Sequence, residues 1–522
     1  MTKTVTIIGG GHNGLVCAAY LAKAGLQVTV VERRPVLGGA AVTEEFHPGF
    51  RNSIASYTVS LLHPQISADL NLARHGLRII PRRINNYLPL PDGDAFVAWP
   101  EPELLQREIA RFAVSDIDNL RHYNQLLAAV VPVIKDLLLQ TPPAVHAGGI
   151  TDLWKLYSMS RRFHRLNLEQ KQFLLNLFSR SAGEILSDQF DGKPLQAWLG
   201  FDAIVGNYAS PYTPGSAYVL LHHGLGEVNG KSGNWGHAVG GMGAISQAIM
   251  REAEQAGVRF RVDSEVRNVI IDNQQAGGVV LASGQSLRSD MVVANVAPPV
   301  LFLQLIDQDL LDPELRRHFT NYKCRSGSFR MNLALSELPQ FTTRTVDHYL
   351  EAGIIIAPDL EYMDRAYLDA RQYGWSHRPV IEMLVPSTID TTLAPRGRHV
   401  ASLFCQQFDP GLGSYWNDHK ENVADRIIET VNAYAPNFKS SIIGRQVLSP
   451  WDLEQVFGLT GGDIFHGRLS LEQLFSARPR LGMGQYRTPF KNLFMCGSGT
   501  HPGGGVSGIP GHNAAREILK VI

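Results

Sequence analysis

Three glycines, Gly9, Gly11 and Gly14, stand in the spacing GxGxxG, with His12 and Asn13 between them. That spacing suits a backbone that must close on a pyrophosphate. Gly9 allows a tight turn, Gly11 leaves room for a phosphate to approach the main chain, and Gly14 lets the next helix pack against the preceding strand. The free N–H groups and the positive dipole end of that helix favour an anion. Further along, Glu32 is a carboxylate able to accept from both hydroxyls of a ribose. A carboxylate there also disfavours a 2′-phosphate, which argues against NADP.

These residues need a β-α-β unit to hold them, and the sequence supplies one. Thr4–Ile8 is β-branched and apolar, as a buried parallel strand requires. Small residues over 15–24 predict a helix closed by Gly25. Gln27–Val31 reads as the return strand and ends at Glu32. An ordinary strand-helix turn is the bland alternative, but strand, helix, return strand and acid together meet the context that the motif demands.

Downstream, helical spacing runs over 103–139, ended by Pro142 and Pro143, and again over 153–186. Glycine-rich loops then lead to Gly240 and a helix reaching about residue 256. Strands follow at 258–262 and 266–271, a hairpin arm at 275–286, and a buried strand at Met291–Ala294. Residues 300–480 mix strands and helices. A last strand at 493–496 precedes a glycine-rich loop and a short C-terminal helix.

The fingerprint alone does not choose between FAD and NAD. Its continuation does. Arg33, Arg34 and Pro35 lead to Leu37-Gly38-Gly39-Ala40-Ala41, a second close-approach loop beside the first. It resembles the extended flavin motif of the amine oxidase and phytoene desaturase class. Two further segments, Gly236-His237-Ala238-Val239-Gly240-Gly241-Met242-Gly243 and the run from Cys496-Gly497-Ser498-Gly499 to Gly508-Ile509-Pro510-Gly511, are similar to bacterial phytoene desaturases. The similarity extends to the branch holding desaturase-like β-carotene ketolases and the pyridine nucleotide-disulfide oxidoreductase domain-containing protein 2 group. Val385-Pro386-Ser387 through Ala394-Pro395, and Asp463 through Pro479, also resemble that branch.

The resemblance implies an α/β fold: a Rossmann-type FAD-binding domain from 1–85, 225–300 and 485–522, and a discontinuous mixed α+β substrate domain from 86–224 and 301–484, helical over about 103–200. It implies non-covalent FAD, with Val266, Gly497, Gly499, Gly508 and Ile509 joining the N-terminal residues around it. The implied activity is oxidation of C–H bonds of a small apolar substrate by hydride transfer to flavin N5, with electrons passed to oxygen or a quinone. A ketolase, an amine oxidase and an FAD-bound regulatory or interaction protein with little turnover are the rival readings.

Gly503, Gly505 and Gly508 also match GxGxxG, but only residues 509–522 follow, without a return strand and ribose acid. The loop is therefore read as glycine packing that brings N–H groups and a helix start to the flavin, with a surface loop as the alternative. His466 and His501 are the two weak catalytic candidates, each balanced against a structural role. Asn52 to Tyr57 either passes under the flavin ring or is structural. Cys496 is read as a buried inert thiol. Trp154, Lys155, Arg161, Arg162 and Arg165 lie on one helix, which suits either a membrane surface or solvent.

Composition excludes other classes. Lys plus Arg and Asp plus Glu both number 48, so no basic excess points to nucleic acid. The four cysteines form no CxxC, and no HExxH or other metal-ligand spacing occurs, so no metal is expected. No run approaches a membrane span or a secretory signal, and the expected location is the cytoplasm.

Overall fold

The computed structural model describes residues 2–144 and 149–522. Five parallel strands form one sheet in the order Arg259–Arg261, Gln27–Val31, Thr4–Ile8, Met291–Ala294, Leu493–Met495. Thr4 pairs with Gln27 and Val5 with Met291, so the first strand lies at the centre. The helix His12–Lys23 crosses one face, flanked by Gly243–Gln255 and Ile509–Leu519. A small antiparallel sheet (Val266–Asp272, Gln275–Leu281, Ser286–Arg288) covers the other face with the helix Pro313–Thr320. This is the doubly covered parallel sheet expected from the strand pattern.

The second large unit is a seven-stranded mixed sheet, ordered Ile442–Leu448, Phe329–Leu335, His399–Phe408, Trp375–Leu384, Gly353–Ile356, Asn86–Pro89, Ala95–Ala98. The helix Trp416–Asn432 backs one side of it. A helical layer packs against the other, sharing a core with Leu88, Phe96 and Phe404.

Several boundaries differ from the sequence reading. The first helix starts at His12 rather than residue 15. The run 103–139 is two helices, Pro102–Ala110 and Asp116–Leu138. The run 153–186 is three: Ile150–His164, Leu168–Ser179 and Ala182–Gln189. Asn167 with Gln170, and Ser181 with Glu184, form capping boxes at the two breaks. The stretch read as glycine-rich loop holds two more helices, Lys193–Ile204 and Ala217–Gly224.

Candidate cofactor cleft and adjoining cavity

The first strand ends at Ile8 and the chain turns through Gly9 to Gly11 into the helix His12–Lys23. A Cβ on Gly14 would sit 2.4 Å from the Gly9 carbonyl oxygen, so only glycine lets this helix come so near the turn. At Gly11 the protein is more lenient: its nearest neighbours would be the Asn295 amide at 3.1 Å and the Gly39 Cα at 3.8 Å. The Gly38 N–H donates to the Gly10 carbonyl at 2.8 Å, which sets the two glycine loops side by side. Asn295, just past the strand Met291–Ala294, donates from Nδ2 to the Gly9 carbonyl at 3.0 Å and braces the turn.

Glu32 is buried at the end of the return strand. Its Oε2 accepts from the Gly10 N–H at 2.8 Å and its Oε1 from the Arg34 N–H at 2.9 Å. Each carboxylate oxygen keeps a further lone pair for a hydroxyl. These residues line a cleft of about 420 Å³. Gly9, Gly11, His12, Asn13, Glu32, Arg33, Gly39, Ala40 and Val266 are all in its wall, as is His466. Gly14 and Gly38 stand behind it as packing and hydrogen-bonding supports.

The C-terminal loop meets the site differently from its sequence reading. Gly497 packs on Asn295, Gly499 on Pro298, and Gly508 caps the last helix between Ile66 and Val16. None of the three lines the cleft, and Ile509 lines a separate cavity instead. The loop residues that do reach the site are Ser498, Gly505 and Val506.

A second cavity adjoins the cleft, sharing His12, Ala40, Leu459, His466 and Ser498 with it. Its remaining wall is largely apolar: Val59, Leu61, Val205, Phe404, Ile464, Phe465 and Val506, with Tyr57, Trp235 and His223. Tyr57 therefore stands at a cavity wall. Its hydroxyl donates to Glu382 in a short bond, its ring stacks on Phe404 at 5.0 Å, and the Arg330 guanidinium lies 4.8 Å from its centroid. Burial, then the Glu382 charge, pushes its hydroxyl well above the usual phenol range. Glu382 is in turn held by Arg82 at 3.1 Å. Asn52, earlier in the same segment, donates to the Asn332 side chain at 2.7 Å and is structural.

The two histidine candidates separate. His466 lines both spaces, and its Nδ1 is buried without a partner. His501 lines neither. Its Nε2 donates to the Leu137 carbonyl at 3.1 Å and its ring meets Phe475 edge-on. Its place is structural. Burial drives His12, His223 and His466 down to about 4, so the imidazoles around the second cavity are neutral at neutral pH. Cys496 is buried, and desolvation, then its neighbour Cys17, pushes its thiol well up.

Sequence reading missed several supports. Arg478 is fully buried and donates to the carbonyls of Phe465 at 2.6 Å and Ser498 at 2.8 Å, tying together the loops that carry His466 and Ser498. The wall from Glu454 to Thr460 closes the cleft's outer side, where the Arg33 Nη2 donates to the Gln455 carbonyl at 2.9 Å. Asn295 directly follows a strand read from the sequence, yet nothing in its spacing marks it.

The residues present fit an adenine dinucleotide. The cleft offers a side-chain-free approach at Gly11, an acid with spare lone pairs, and four buried polar atoms without partners: Asn13 Oδ1, Arg34 Nη1, Thr460 Oγ1 and His466 Nδ1. A dinucleotide held in the cleft would give these atoms partners. Among the described residues no group of metal-ligating side chains occurs, and no helix is long and apolar enough to cross a membrane.

Comparison with known proteins agrees with this geometry. Residues 14–328 match the family described as flavin containing amine oxidoreductase. The chain is 38% identical to pyridine nucleotide-disulfide oxidoreductase domain-containing protein 2 of Rattus norvegicus, over 98% of this chain and 93% of that one. It is 25% identical to one subunit of the limonene dehydrogenase of Castellaniella defragrans, over 99% and 94% of the two chains. It is 23% identical to a lycopene-forming phytoene desaturase of a Paracoccus species, over 100% and 97%. Cyclohexylamine oxidase from Brevibacterium oxydans shares the fold, with a TM-score of 0.59 at 15% identity over 100% of this chain and 99% of that one. The chain thus belongs to the flavin containing amine oxidoreductase family and is an FAD-dependent oxidoreductase.

Proposed function

We propose that the protein oxidises a C–H bond of a small apolar substrate in the second cavity, beside non-covalently held FAD. The observation that carries this reading is the junction of the two spaces at His12, Ala40, Leu459, His466 and Ser498. FAD, when bound, supplies the redox step, accepting hydride at N5 and passing electrons to oxygen or a quinone.

The chain's own part is to bind, orient and exclude water. Glu32 and the paired glycine loops fix the nucleotide end. Val59, Val205, Phe404, Ile464 and Phe465 offer an apolar surface that gains about 25 cal/mol for each Å² of hydrocarbon it covers. The neutral imidazoles of His12, His223 and His466 add no charge to that wall. An amine would arrive as a cation, yet the carboxylate behind Tyr57 is already engaged by Arg82. The names of two relatives point the same way, since limonene and phytoene are hydrocarbons.

The test is anaerobic mixing of the purified, flavin-loaded protein with terpene hydrocarbons and with matched primary amines, followed by flavin absorbance. Bleaching by a hydrocarbon is expected. Bleaching by amines alone would assign the cavity to amine oxidation. A flavin that dithionite reduces but no organic donor bleaches would favour a binding or regulatory protein.

A further inference from the structure

The helix Ile150–His164 turns an apolar face outward. Ile150 is 76% exposed, Leu153 64%, Trp154 65% and Tyr157 56%. These positions follow the spacing of one helix face. Arg161 and His164 continue it, with Arg165 beside them, and all three are exposed. Trp154 and Tyr157 meet edge to face at 5.8 Å, a ready-made aromatic pair.

The acidic groups near this helix are already used. Asp152 is buried and pairs with Lys155 at 3.1 Å. Arg162 pairs with Asp136 of the neighbouring helix Asp116–Leu138 at 3.4 Å. Glu169, past the helix end, pairs with His122 at 3.0 Å. The outward face thus runs from four large apolar groups to two arginines, Arg161 and Arg165, in a chain whose formal net charge is zero.

We propose that this face docks on an anionic membrane surface. Ile150, Leu153, Trp154 and Tyr157 enter the interfacial layer, and Arg161 and Arg165 meet lipid phosphates. A patch of this kind is seldom left to water. Trp and Tyr favour the headgroup level, where a ring can be apolar on one side and wet on the other. The basic end supplies the charge complement that a neutral protein partner would not need.

The position of the helix gives the docking a use. Lys135 and Leu138 line a third cavity of about 370 Å³, which meets the apolar cavity at Leu61. Asp136, adjacent to Lys135, holds Arg162. The docked helix therefore sits against the same helix turn that walls this cavity. The docking itself does not depend on the proposed substrate, because it is read without turnover.

The test is flotation of the full-length, FAD-loaded protein with phosphatidylcholine vesicles, with and without phosphatidylglycerol. Binding to the anionic vesicles is expected. Removing phosphatidylglycerol should weaken it on the order of 25-fold, from roughly fivefold for each of the two arginines. High salt should weaken it too. The double variant Trp154→Glu/Tyr157→Glu should lose at least about tenfold in partitioning, because charge at these positions opposes interfacial entry, while keeping its flavin. The proposal is overturned if wild type ignores anionic vesicles, or if wild type and variant partition alike. It is equally overturned if the variant only converts a dimer to monomer without any vesicle binding, which would assign the face to a second copy.

Discussion

Replacing Glu32 by alanine tests the nucleotide cleft at its most connected residue. The carboxylate accepts from the N–H groups of Gly10 and Arg34, at 2.8 and 2.9 Å. Both bonds are to a charged acceptor, and such bonds are each worth about 1.5 to 3 kcal/mol. Their loss loosens the turn between Gly9 and Gly11 and also removes the acceptor for the ribose hydroxyls. Water can enter to satisfy part of what is lost. A net weakening of FAD binding by about 1 to 3 kcal/mol is therefore expected, which is roughly fivefold to 150-fold in Kd. Apoprotein titrated with FAD, followed by flavin fluorescence quenching, gives the number. Asp272→Ala, which removes an exposed ion pair with Arg288, is the control and should leave Kd unchanged. Wild-type affinity in Glu32→Ala would refute the ribose assignment.

Acid precipitation should release FAD into the supernatant, because the cleft offers no exposed thiol and Cys496 is buried with its thiol held protonated; a yellow pellet would contradict this. NADH and NADPH should not bleach the flavin rapidly under anaerobic conditions, since the second glycine run is packed inside the fold, Gly503 on Leu469, Gly505 on Leu61 and Gly508 between Ile66 and Val16; stoichiometric bleaching within the dead time would overturn that inference. Burial holds His12, His223, His466 and His501 down to about 4 and His222 to about 3. The unfolded chain, with histidines near 6.5, binds more protons than the folded one below that pH. Stability present above about pH 6.5 should fall as the pH drops towards 4, and a Tm constant across that window would contradict the burial of these imidazoles.

The nucleotide-binding half was legible because its information is local. An uninterrupted β-branched strand, a glycine turn and a terminal acid follow one another within residues 4–32, and each depends on its neighbours in sequence. The helices Lys193–Ile204 and Ala217–Gly224 were not legible for the opposite reason. They are buried almost all round, so no apolar stripe marks a period. Gly200 interrupts the first of them and reads as a loop residue. It is there because a Cβ would lie 2.4 Å from Leu360 Cδ2. The breaks at Asn167 and Ser181 did carry a signal, N-x-x-Q and S-x-x-E, which helical spacing overrode. The Tyr57–Glu382–Arg82 cluster has no local signature at all. It joins two loop residues, Tyr57 and Arg82, to Glu382 of the strand Trp375–Leu384, 325 and 300 residues further along the chain. The C-terminal glycines were read as bringing N–H groups and a helix start to the flavin, and spacing alone could not single out Gly505, the glycine that lines the apolar cavity, from Gly497, Gly499 and Gly508, which pack behind it.

If substrate meets the cofactor in the apolar cavity, Ile464→Trp should block that meeting. Ile464 lines the second cavity and not the nucleotide cleft, so a larger side chain should fill the one and spare the other. The measurement is the anaerobic rate of flavin bleaching by a terpene hydrocarbon such as limonene, on wild type and variant of equal FAD content. Bleaching is expected in the wild type, with a rate at least about tenfold lower in the variant, the equivalent of about 1.4 kcal/mol in the barrier. Equal bleaching rates in the two proteins would contradict a meeting in this cavity and place the reacting substrate elsewhere.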